Sequence, residues 1–327
     1  MVALSVLDLS VVRDGGTSAE ALADTTRLAQ AAERLGYLRF WVAEHHNMPT
    51  VASTSPAVLI AHLAGATDRI RVGSGGVMLT NHAPLAIAEQ FAMLEALHPG
   101  RIDLGLGRAP GTDPMTASAF GRHPHESVQH FPRDVIDVMG MLGDRRGEGG
   151  MWTRFAATPR PSSTPLVALL GSSAYSAQLA GMLGIPFAFA HHFDTGGTEV
   201  ASRLYFEHFT ASPSHPDPYL IVGAGALAAE TDDEAERLAL PSRILRYGIR
   251  TNHRTPLVHP DDAPSHPEAD AARRMPSEQL VGSVERVAEG LHDLVRRTRA
   301  HELMVTGATY DVADRITSLE LIARTWN

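Results

Sequence analysis

The chain has 327 residues, 44% of them apolar, which is enough for one large core and normal for an α/β barrel carrying insertions. The formal net charge is −9 with no basic run, which argues against nucleic acid, and neither an uninterrupted apolar membrane span nor a charged-then-apolar leader is found, so a cytoplasmic protein is expected. Cysteine and lysine are both absent, which removes disulfides, thiolate nucleophiles, Cys-ligated metals, lysine Schiff bases and P-loop phosphate binding.

Strand-like and helix-like segments alternate along the chain. A short apolar run at 3–9 precedes a helical pattern at 18–35, with Gly36 where a helix C-terminal glycine belongs. A strand at 39–43 ends in Glu44-His45-His46, and Ser55-Pro56 then reads as a cap and first turn for a helix over 55–67. The strand at 70–79 contains Ser74-Gly75-Gly76; consecutive glycines inside a strand mark a bulge or a close backbone approach. Pro84 opens a helix over 84–98, and the strand at 102–106 delivers Arg108 into a glycine-rich stop. A helix at 133–143 and a strand at 166–170 follow, then Gly171-Ser172-Ser173-Ala174-Tyr175-Ser176 at the start of a helix over 173–184, closed by Gly184. The remaining pattern is strand 187–190, helix 198–209, strand 219–226, helices 232–247 and 277–299, strand 302–306 and helix 311–325. Asp311 and Asp314 place negative charge at the start of the last helix.

Eight strands interleaved with helices predict a (β/α)8 TIM barrel over 1–327 as one domain; a doubly wound open sheet is the alternative, and the lack of GxGxxG after the first strand argues against it. Two stretches break the rhythm. Residues 109–165 are rich in Gly, Pro, His and Arg, and 248–276 holds five prolines. Both should open at the C-terminal face, where long loops serve as lids.

Catalytic groups in this fold sit at strand C-termini, so His45 is a candidate proton shuttle, against the plainer reading of a hydrogen-bonded strand cap. A metal site could draw on His82, His191 and His192, but no HxH or HExxH spacing supports it, and none is expected. Arg108 is a candidate anion anchor, because guanidinium pairs with phosphate through two parallel hydrogen bonds; a rim salt bridge is the alternative. Ser172, Ser173, Tyr175 and Ser176 stand where free N–H groups of a helix start could hold a phosphate opposite Arg108. The helices at 55–67 and 84–98 carry nearly two apolar stripes each, including Leu59, Leu63, Ile87, Phe91 and Leu94, which suggests a subunit interface.

Taken together, Glu44-His45-His46, the Val72–Leu79 strand, Ala88-Glu-Gln-Phe91, the Pro99–Asp113 run and Gly171–Ala177 resemble the bacterial luciferase-like flavin monooxygenases, over nearly the whole chain. The resemblance implies a TIM-barrel homodimer that takes reduced FMN from a separate flavin reductase. The reduced flavin would react with O2 to give a C4a-hydroperoxide that oxygenates a small organic substrate. By position, His45 matches the family's active-site histidine, Ser74-Gly75 a frequent non-proline cis peptide beneath the flavin, and Arg108 with Ser172–Ser176 the phosphate site. The cysteine that true luciferases carry before the arginine is Gly107 here, which points away from light emission and an aldehyde substrate. Some relatives tailor polyketide-type metabolites. Others use F420 for hydride transfer, and some only bind flavin, so these readings stand as alternatives.

Overall fold

The computed structural model describes residues 2–120, 124–193, 196–253 and 255–326. Nine strands form in chain order: β1 (Ala3–Asp8), β2 (Arg39–Val42), β3 (Arg71–Met78), β4 (Ile102–Gly107), β5 (Leu166–Gly171), β6 (Phe187–Phe189), β7 (Leu220–Ala229), β8 (Leu280–Ser283) and β9 (Glu302–Thr306). Eleven helices accompany them: α1 (Ser18–Arg34), α2 (Pro56–Gly65), α3 (Pro84–Leu97), α4 (Pro114–Ala119), α5 (Pro124–Met141), α6 (Ala174–Leu183), α7 (Thr198–His208), α8 (Asp232–Thr251), α9 (Ala269–Arg274), α10 (Val284–Thr298) and α11 (Val312–Thr325).

All strand pairings are parallel, and β1–β7 with β9 close into an eight-stranded barrel through β9–β7 and β6–β7. The expected TIM barrel is therefore present. Strand side chains alternate between two cores, as the two-residue period requires. Val6, Phe40, Val222 and Val305 face outward into the large core shared with the helices, while their neighbours Leu7, Trp41, Ile221 and Met304 face inward and fill the barrel with Ala168 and Ala188. Below that layer lies an ion network: Arg39 bonds Asp103 at 2.7 Å and Glu302 at 2.8 Å, and the Trp41 indole N–H also donates to Asp103 at 3.0 Å. These buried charges satisfy one another. The lower barrel is thus filled by side chains.

Three expectations need correction. Residues 280–283, expected inside a helix over 277–299, form β8, which pairs with the upper half of β7 while β9 takes the lower half; the helix α10 starts only at Val284. The stretch 109–165 holds two α-helices rather than one: α4 is capped by Asp113, and α5 begins at Pro124 and runs through Pro132 rather than starting at 133. The stretch 248–276 is packed rather than merely irregular, with Leu257, Ala263, Ala269 and Ala272 buried, the last three against Leu240 and Ile244 of α8. Gly184 caps α6 with φ 58°, and Asp311 accepts from the Ala313 N–H. Ser55 makes no side-chain cap, so α2 relies on Pro56 at its first turn.

Candidate active site

Two cavities open at the C-terminal end of the barrel. One, of about 550 Å3, rests on Leu7, Ile221 and Met304 of the inner core and reaches Arg108, Ser172 and Ser173. The other, of about 490 Å3, is bounded by the loop after β2 and by α8. His45, His192 and Phe193 line both, so the cavities meet at two histidines.

The segment after β2 sets His45 apart from its neighbours. Glu44 is fully buried; one carboxylate oxygen accepts from Nε2 of both His46 and His82 at 2.7 Å, and the other accepts the Met78 N–H at 3.0 Å. Burial alone would raise this carboxyl, but the bonds from His46, His82 and the Met78 N–H hold it down to about 2. The Phe120 ring packs edge-on against His46, centroids 4.6 Å apart. His45 is anchored through its backbone N–H to the Ser53 carbonyl at 3.1 Å. Its Nδ1 is buried without a hydrogen-bond partner among the described residues, an arrangement that a ligand group can complete. Burial pushes the imidazole below its usual range, opposed by the Glu44 charge, which favours the neutral form of His45.

Ligand atoms of Glu44, His46 and His82 lie within 4.8 Å of one another, and the described hydrogen bonds already use the carboxylate between the two imidazoles. His191 and His192 do not join them. His191 bonds the Thr198 hydroxyl at 2.7 Å. His192 donates from Nδ1 to the Gly223 carbonyl at 3.1 Å, since a carbonyl can only accept, and this leaves Nε2 as an acceptor. Burial pushes His192 down to about 4. Sequence reading took His192 only as a possible metal ligand and missed that, like His45, it lines both cavities.

Arg108 follows β4, and its guanidinium lies over the Tyr175 ring, 4.4 Å from the centroid. Among the described residues it makes no ion pair, so the rim salt bridge is not formed. Tyr175 belongs to the first turn of α6, where Ser173 caps the Ser176 N–H at a long 3.4 Å and, among the described residues, no partner is found for the helix-start N–H groups of Ala174 and Tyr175. Ser172, Ser173 and Ser176 line the same cavity as Arg108, while Tyr175 stands 41% exposed as the arginine's stacking partner.

The glycines of β3 form part of the floor. A Cβ on Gly76 would lie 2.8 Å from the Gly105 carbonyl oxygen, and one on Gly75 would lie 2.6 Å from Leu7 Cδ1. The strand can therefore carry no side chain there, and its register against β4 shifts at this point. The non-proline cis peptide joins Gly75 and Gly76, one residue beyond the expected Ser74-Gly75. Ser74 is fully buried and is not on the cavity wall: its hydroxyl donates to the Gly105 carbonyl and accepts the Gly105 N–H, both at 3.0 Å. It holds β3 to β4 behind the glycine floor.

Comparison with known proteins yields consistent matches. A family model described as luciferase-like monooxygenase matches residues 2–302. The chain is 44% identical to YvbT of Bacillus subtilis, over 99% of this chain and 96% of that protein. It is 41% identical to a luciferase-like monooxygenase of Escherichia coli K12, over 98% and 96%. An N-acetyl-S-alkylcysteine monooxygenase of B. subtilis is 33% identical, over 98% and 89%. Among solved structures, apo-MsnO8 superposes with a TM-score of 0.89 at 35% identity, covering 99% of this chain and 98% of that one. The FMN-bound oxygenating constituent of 3,6-diketocamphane monooxygenase from Pseudomonas putida (TM-score 0.75, 20% identity, 99% and 97% covered) shares the fold. So does an F420-dependent secondary alcohol dehydrogenase (0.71, 16%, 100% and 99% covered).

Proposed function

The chain belongs to the luciferase-like monooxygenase family, and from that premise we propose that it takes reduced FMN from a separate reductase and uses O2 to oxygenate a small organic substrate. The observation that carries this reading is the meeting of two cavities at His45 and His192, one with phosphate-binding chemistry at its far end and the other walled mainly by apolar groups. Bound reduced FMN supplies the electrons that activate O2.

The protein's own groups supply the rest. Arg108, without a carboxylate partner among the described residues, and the N–H groups of the α6 start are suited to a phosphate. The side-chain-free stretch Gly75–Gly76 leaves a flat surface on which a planar ring can lie. A cavity of about 550 Å3 falls within the usual range for cofactor sites. His45, with its neutral form favoured and Nδ1 unpartnered among the described residues, is placed to hold or move a proton where the two cavities join. His192 presents an acceptor from the facing wall. Leu9, Val11, Val51, Leu245 and Ile249 line the second cavity with Phe193 and keep water from the reacting atoms.

Hydride transfer with F420 is the second reading, supported by the F420-dependent enzyme that shares the fold; retention of His45 favours catalysis over flavin storage. Titrating the protein with FMN and with F420 separates the first two. Tight FMN binding with weak F420 binding supports the oxygenase, and the reverse order supports hydride transfer.

We also place the protein in the cytoplasm, where a reductase can deliver flavin; among the described residues no helix is long and apolar enough to cross a membrane. We propose a homodimer through α2 and α3. The five residues first assigned to that interface face the protein's own core, at 0–8% exposure. The apolar groups that these helices leave outside are Val58, Met93 and Leu97, 71%, 53% and 63% exposed.

A further inference from the structure

The second cavity holds a charge that the proposed chemistry does not use. Ser242, Leu245, Arg246 and Ile249 follow the three- and four-residue spacing of one helix face, and that face of α8 forms a wall of the cavity. Two other arginines of α8 have acidic partners: Arg237 bonds Glu234 and Asp261, and Arg243 bonds Glu236, while Arg250 is exposed to solvent. Arg246 has none among the described residues, and its guanidinium donates only to the neutral Ser277 hydroxyl at 2.8 Å.

Leaving a guanidinium partly withdrawn from water without an anion is unfavourable. Burial lowers its proton affinity, and the nearby charges of Arg250 and Arg243 lower it further. The rest of the lining offers no compensation. Its one carboxylate is Asp113, which is exposed and already accepts the Met115 and Thr116 N–H groups that start α4. The other titratable groups on the walls are His45, His46, His192 and His253; His46 is held by Glu44 and His253 by Glu268.

We propose that Arg246 is the anchor for an anionic head group, so that the substrate is an organic acid with an apolar body, its carboxylate on α8 and its chain among Leu9, Val11, Leu245 and Ile249. This rests on the second cavity being the substrate cavity. Arg246 acts on His192 electrostatically, so an anion bound there also lies near the junction of the two cavities.

The test compares octanoate with octanamide, and 4-phenylbutyrate with its amide, by calorimetry on the full chain, with and without bound FMN. Wild-type protein should bind each acid about tenfold or more tightly than its amide. Arg246→Gln should weaken acid binding by about 10- to 100-fold and leave the amides unchanged, and Arg246→Lys should restore part of the loss. FMN binding and circular dichroism that match wild type show that the variants are folded. No preference for the acids in wild type, including no measurable binding of either probe, overturns the proposal, as does full acid affinity in Arg246→Gln. Failure of FMN to bind would defeat the cofactor reading instead, and the comparison on FMN-free protein would still decide the role of Arg246.

Discussion

The Arg108 guanidinium stacks on Tyr175, its central carbon 4.4 Å from the ring centroid. The contact joins the end of β4 to the first turn of α6, and among the described residues the arginine has no acidic partner. A charge-assisted pair contributes about 1.5–3 kcal/mol, so Arg108→Ala should weaken FMN binding by about one to two decades in a fluorescence-quenching titration. Tyr175→Ala removes only the stacking surface and should cost about 0.5–2 kcal/mol, while Tyr175→Phe should stay near wild type. Unchanged affinity in Arg108→Ala would remove the phosphate assignment.

His45 is expected to act on chemistry rather than on cofactor affinity. His45→Ala should bind FMN nearly normally and lose about 10²–10⁴-fold in substrate-dependent turnover, the usual contribution of a general acid or base. A variant with full turnover would return His45 to a structural role.

Stability should fall as the pH drops from 7 to 5. His192 sits at about 4 in the folded protein against 6.5 for the free side chain, so the unfolded chain binds the extra proton first. The resulting loss begins near pH 6.5, grows as the pH falls towards 4, and amounts to roughly 2 kcal/mol between pH 7 and 5 from this group alone. His45, His98, His215 and His301 are also held below their usual range and add with the same sign. Glu44, held at about 2, adds a separate loss only below about pH 4.5. Urea midpoints at pH 7 and 5 should therefore differ less for His192→Gln than for wild type. Equal pH dependence would show that His192 is not held neutral.

Val58→Glu and Met93→Glu should convert the proposed dimer to monomer, because a charge at the centre of an interface of roughly 800 Å2 per partner loses its water without gaining a counter-ion. Light scattering at micromolar concentration reads this directly. A monomeric wild type would refute the interface.

The segments around 109–120 and 248–258 bound the second cavity through Gly111, Thr112, Asn252 and His253. If they close over substrate, their amide exchange should slow when FMN and an acid ligand bind together, and should change little elsewhere. Equal exchange with and without ligands would count against a lid.

The barrel was legible because its strands are short apolar runs stopped by glycine or charge, and their two-residue alternation fixes which side chains enter the barrel. Helix α5 begins nine residues before the expected 133 and carries Pro132 in its interior, where a proline is tolerated if the helix bends or a neighbouring carbonyl finds another partner. Strand β8 was missed because four residues run straight into α10 and share its apolar rhythm. His45, Arg108 and the serine turn were visible because strand ends and helix starts leave local signals. Ser74 was misplaced because strand position alone does not say which side a hydroxyl faces. Arg246 left no signal, since one arginine in a charged helix reads as solvent-facing until the helix is seen to form a cavity wall.

The central claim is tested most directly by rapidly mixing the protein, loaded with reduced FMN, with O2 while following both oxygen consumption and the return of oxidised FMN. The account predicts that wild type consumes O2 well before oxidised FMN appears, and that the lag shortens in His45→Ala while the cofactor stays bound. Oxidised FMN appearing in step with O2 loss, as for flavin free in solution, together with tighter binding of F420 than of FMN, would contradict it.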